Sequence, residues 1–156
     1  MNKKIWMMSN RQPWVEALLC GLIRIKSRSL NVALPPPGSI VFLHASKALW
    51  SDYRFLPWAD KMNVQHLQKG GICGVARCIE VAPIWDLKYN YDNDSPLFDL
   101  YRDGEYWTCC LDDQIIVFDH IRRLPFIPCR GVITPTTKLP KELMAELKKY
   151  PEWLCI

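Results

Sequence analysis

Apolar residues along the chain fall into two rhythms, and switches between them mark the elements. Residues 5–9 form a short apolar run, closed by Ser9-Asn10, and read as a strand. Over 13–20, Trp14, Ala17 and Leu18 recur at helical spacing, with Pro13 at the first turn and Gly21 as the stop. The next segment, 23–29, alternates Ile23/Arg24/Ile25/Lys26, which is strand periodicity. That alternation places Arg24, Lys26 and Arg28 on one face. Pro35, Pro36, Pro37 and Gly38 make a rigid turn into a buried strand over 39–45.

Residues 48–69 read as two helical pieces parted at Pro57, with a start near Trp58 and a stop at Gly70-Gly71. Residues 72–81 are the clearest long strand. The stretch 82–105 lacks periodicity, and within it 86–105 reads as a long acidic loop or lid. Strands are expected over 106–111 and 115–120, joined by a turn at Asp112-Asp113, and again over 132–135. An amphipathic helix opening at Pro140 spans 139–149. The expectation is one α+β domain over 1–156, a small mixed β-barrel of five to seven strands with peripheral helices.

Composition narrows the class. At 49% hydrophobic and 23% charged over 156 residues, the chain is an ordinary globular domain, not a disordered tail. No apolar run approaches the roughly 20 residues of a membrane span, and Ile5 to Met8 is too short for a signal-peptide core. A cytoplasmic location without membrane contact is expected. The seven cysteines include no C-x-x-C pair and the three histidines are scattered, so reduced thiols serving as small core residues are expected, with no metal and no cofactor.

Charge is unevenly spread. Residues 1–50 hold seven basic residues and one acidic, 61–120 hold five basic and ten acidic, and 121–156 hold seven basic and three acidic. A basic face built from both ends of the chain follows. Arg24, Lys26 and Arg28, with Arg11 nearby, suit phosphates; the alternative is a solvated strand face. Trp14 and Trp50 either stack on bases or pack in the core. His44, followed by Ser46 and Lys47, either holds a polar ligand at a pocket mouth or is satisfied at a turn. The chain has no G-x-S-x-G, phosphate-binding loop or H-E-x-x-H motif. A cysteine nucleophile, Cys20 or Cys129, paired with His44 is a minor reading.

Several segments together resemble ASCH domains of the PUA-like superfamily. They are Ser9-Asn10-Arg11-Gln12-Pro13-Trp14 leading to Gly21, the strand ending His44-Ala45-Ser46-Lys47, the run Gly70-Gly71-Ile72-Cys73-Gly74, and Arg122-Arg123-Leu124-Pro125 with Pro128-Cys129-Arg130-Gly131. The resemblance covers nearly the whole chain in order. It implies a small β-barrel that binds RNA or a modified nucleobase between the first helix, the following strand and the H-A-S-K loop. The residues carried over are Arg11, Gln12, Pro13, Trp14, Gly21, Arg28, His44, Ser46 and Lys47. Some members hydrolyse acetylated cytidine through a lysine and a threonine, but Ile23 stands at the lysine position here and Lys26 at the Glu/Thr position.

Three functions follow. The first is a nucleic-acid-binding, chiefly RNA-binding, module gripping a nucleotide or single strand of RNA, or DNA, through Arg11, Gln12, Trp14, Arg24, Lys26, Arg28, His44, Ser46 and Lys47. The second is a hydrolase of a modified nucleoside, or a ribonuclease, using Lys26 and His44 with a carboxylate such as Asp119 or Glu80. The third is a protein-interaction domain.

Overall fold

Strand β3 (Ile40–Leu49) explains the architecture, because its first four residues are all apolar and all buried. Successive strand side chains point to opposite faces, so such a run fits only a sheet covered on both sides. The computed structural model describes residues 4–56, 58–83 and 113–156. In it β1 (Ile5–Gln12), β2 (Ile25–Ser29), β3, β4 (Gly71–Pro83) and β5 (Asp113–Pro128) form one sheet in the order β1-β3-β4-β5-β2. The β1–β3 pair is parallel and the others are antiparallel.

One face carries Met8, Val41, Leu43, Ala76 and Phe118. It packs under helix α1 (Trp14–Leu19) and the segment holding Leu56 and Trp58. The other face carries Met7, Ile40, Phe42, Ile72 and Val75. It packs under helix α2 (Lys141–Lys149), through Leu143 and Leu147, and under Trp153. Helix α1 stops as Gly21 requires. Gly21, at φ 73°, lets its own N–H reach Leu18 O and the Leu22 N–H reach Ala17 O, satisfying the last carbonyls. Gly74 brings α1 close to the sheet, since a Cβ there would lie 2.4 Å from Leu19 Cδ2 and 2.7 Å from Arg122 O.

Several expectations are corrected. The sheet is open, not a closed barrel: edge strands β1 and β2 share no ladder. A side chain spans the gap instead. The Arg28 guanidinium on β2 donates to Ser9 O (2.9 Å) and to Asn10 Oδ1 on β1. Strand β1 runs past Ser9-Asn10 to Gln12, because its parallel register with β3 continues through Ser9↔His44 and Asn10↔Ala45.

The 48–69 region is not two helices. Strand β3 reaches Leu49, and three 3₁₀ turns follow at Ser51–Phe55, Ala59–Lys61 and Val64–His66. Strand β5 does not end at His120. It continues to Pro128, with Pro125 in a register break between Arg123↔Gly74 and Ile127↔Ile72, where a missing N–H costs no ladder bond. Residues 132–135 form no strand, and only Thr136 bridges to Met7. The expected strand over 106–111 and the loop or lid over 86–105 lie outside the described residues.

Candidate functional site

Two adjoining depressions lie along β1, and they share Ser9 and Ile133. The smaller, about 380 Å³, sits between β1, α1 and β2 and is lined by Arg11, Trp14, Lys26, Arg28 and Trp50 among others. Its floor is aromatic. Trp14 is 3% exposed, stands 5.2 Å from Trp50 and 5.6 Å from Trp58, and carries the Lys26 ammonium 4.3 Å over its ring. The π face attracts that cation. Trp14 is therefore a support. Trp50, half-buried, is the ring with surface left for a ligand.

Arg28 fixes the back wall, with Nη1 donating to Ser27 O (2.8 Å) and Nη2 reaching across to β1. Because Arg28 engages Asn10 Oδ1, the Asn10 amide turns its Nδ2 the other way, where it is buried without a partner. Arg11 is exposed at the rim. Gln12 is 1% exposed and committed to the fold: its Oε1 accepts the Glu16 N–H (3.1 Å) in the first turn of α1, and its Nε2 donates to Gln68 O (2.9 Å).

The larger depression, about 720 Å³, lies between the end of β3 and the chain after β5, and Lys47 and Arg130 line it. His44 forms its floor at 2% exposure. Its Nε2 faces Cys129 O (3.1 Å), so Nε2 carries the proton and Nδ1 accepts from the Ser9 hydroxyl (3.0 Å). Ser9 Oγ in turn accepts the Val132 N–H (2.9 Å). Burial pushes the imidazole below its ordinary 6.5, which agrees with a neutral ring holding that chain of bonds. Gly131 is packed so closely that a Cβ would lie 2.6 Å from His44 Cε1.

The candidates named from sequence thus divide. Arg11, Trp14, Lys26 and Arg28 line one depression, and His44, Ser46 and Lys47 line the other. Arg24 lines a different hollow with Asp119 and His120, because it precedes β2 and does not share the Lys26 face. Asp119 is held there by a two-pronged bond to Arg77 (2.8 and 2.6 Å), which keeps its carboxyl below the usual range. Among the described residues no carboxylate lines either depression along β1, and Lys26 and His44 do not share one.

The His44 partner on the Cys129 side is the backbone carbonyl, not the thiol, and burial raises the Cys129 thiol. Cys73 and Cys78 are buried and pushed up to about 11, and the described residues include no group of three potential metal ligands. Ile23 is core, 2% exposed. Sequence reasoning missed Ser9, Asn10, Arg130 and Ile133 as site residues. The first three stand inside the quoted motifs, whereas nothing in the sequence singles out Ile133. Among the described residues no helix is long and apolar enough to cross a membrane.

A five-stranded mixed sheet with helices on both faces is an α+β architecture, and comparison with solved structures makes this specific. The ASCH protein from Zymomonas mobilis superposes with a TM-score of 0.56 at 10% identity, over 93% of this chain and 94% of that one. Its serine-to-alanine mutant gives 0.56 at 12% identity over 95% and 96%, and its tyrosine-to-phenylalanine mutant 0.56 at 11% over 94% and 98%. The chain has the ASCH fold. No family model matches the sequence, and no curated protein does.

Proposed function

We propose that this chain is an RNA-binding domain that takes a nucleotide or single strand in the depressions along β1. The observation that carries this reading is their lining. The described residues that line them include five cations, Arg11, Lys26, Arg28, Lys47 and Arg130, and no carboxylate, beside the half-buried ring of Trp50. Such a lining suits a polyanion whose planar groups stack. The ASCH-like motifs, which imply RNA or a modified nucleobase, narrow the polyanion to nucleic acid.

Arg28 is a poor probe, because its removal also unties β1 from β2. Arg11, exposed at the rim, is the better one. In fluorescence anisotropy with single- and double-stranded RNA and DNA, single-stranded RNA is expected to bind and to weaken with salt. Arg11→Ala is expected to lower the slope of log affinity against log salt by about 0.7, the value for one phosphate on a single strand. If no polymer binds at low salt, the reading fails.

A further inference from the structure

We propose that Ile133 is a fixed apolar wedge that divides the groove into two nucleotide subsites and inserts between adjacent bases of a single-stranded RNA. The proposal rests on the nucleic-acid reading above and adds the length and posture of the ligand. Ile133 is fully exposed, at 102%, whereas the other large hydrophobic residues on the described surface reach at most 44%. It stands on a crest. The Trp50 hollow lies on one side, the His44 hollow on another, and a third hollow toward Lys138 also counts it among its lining residues.

The crest is anchored on both sides of Ile133. On one side the Val132 N–H donates to Ser9 Oγ (2.9 Å); on the other, Met7 and Thr136 exchange two backbone bonds (2.8 and 3.0 Å). A β-branched side chain adds stiffness at χ1. A rigid apolar residue held up in water between two hollows has the form of the wedges that nucleic-acid-binding proteins drive between base steps.

The hollows suit the two sides of such a step. Each is of small-ligand size, about 380 and 720 Å³, and each brings its own cations, Arg11, Lys26 and Arg28 on one side and Lys47 and Arg130 on the other. A base on the Trp50 side and its neighbour over the His44 side would leave Ile133 filling the opened step and would set a phosphate near each cationic group. A free nucleoside occupies one hollow only.

The test uses a single-stranded RNA tetramer with a central 2-aminopurine–adenine step, whose emission rises when the step unstacks, and a 5′-mononucleotide as the one-subsite probe. The wild-type protein is expected to bind the tetramer at least tenfold more tightly than the mononucleotide and to raise the emission several-fold. Ile133→Ala removes an exposed side chain and is expected to abolish the rise. Arg130→Ala is expected to weaken the tetramer. If both probes bind equally and Ile133→Ala leaves the emission as in wild type, the wedge is overturned and the nucleic-acid reading stands. If neither probe binds, that reading falls and the wedge falls with it.

Discussion

Replacing His44 by phenylalanine tests whether the chain of bonds through Ser9 is a structural strut. Phenylalanine keeps an aromatic ring on the floor of the larger depression, so no cavity opens. Two bonds are lost: Ser9 loses the Nδ1 acceptor at 3.0 Å, and Cys129 O loses the Nε2 donor at 3.1 Å. The depression admits water, so each loss belongs at the low end for buried groups, about 1 kcal/mol, or about 2 kcal/mol together. For a chain of this length that lowers the melting temperature by about 4–8 °C.

The pH dependence supplies a second, signed readout. Burial holds the native imidazole below 6.5, so as pH falls through that value the unfolded chain takes up a proton that the folded chain refuses. Wild-type stability therefore declines with falling pH over that window, and His44→Phe lacks this contribution. The gap between the two proteins should be widest near neutrality and narrow on acidification. Calorimetric melts at several pH values check both statements. A drop below about 1 °C at neutral pH, or a gap that does not change with pH, would refute the strut.

Two further perturbations probe the same framework. Gly131→Ala puts a methyl 2.6 Å from His44 Cε1 and 3.0 Å from Ser9 Oγ, and overpacking of this kind costs about 1–3 kcal/mol, so a wild-type urea midpoint would contradict the close packing. Glu16 binds Arg123 through both oxygens (3.0 and 2.6 Å), and this holds its carboxyl below the ordinary 4.5. Its contribution is present above that value and disappears as pH falls through the folded pKa. Because Arg123 is half exposed the effect is small, at most about 1 kcal/mol, and Glu16→Gln should flatten the acid limb of the stability curve by that much.

What was legible in the sequence follows from how locally each feature is determined. The apolar run of β3 and the alternation of β2 are set by one residue and its immediate neighbours, and both strands are present. The helix ending at Gly21 was equally readable, because a left-handed glycine is a local requirement. The 48–69 stretch misled because Leu56, Trp58 and Val64 are apolar for a tertiary reason. They are buried residues, Leu56 and Trp58 flanking 3₁₀ turns and Val64 opening one, and Leu56 and Trp58 join the core cluster of α1; they are not one face of a helix.

Pro125 disguised the length of β5, since a bulge that accommodates proline depends on the partner strand. In the site, the cationic residues were readable one by one, but their division was not. The placement of Lys26 on Trp14, the separation of Arg24 and the exposure of Ile133 arise only when distant segments meet.

The strand order also imposes a timetable on biosynthesis. Among the described residues strand β2 pairs only with β5, and the first residues of β5 leave the ribosome 88 positions after Ile25. At ordinary translation rates of about 5–20 residues per second, β2 waits roughly 4–18 s for that partner. Its sequence, Ile25-Lys26-Ser27-Arg28-Ser29, suits that interval: two cations and two serines in five residues discourage pairing with the strands of other nascent chains. The same lysine and arginine that later line the hollow beside Trp14 thus guard an orphan strand until its partner is made.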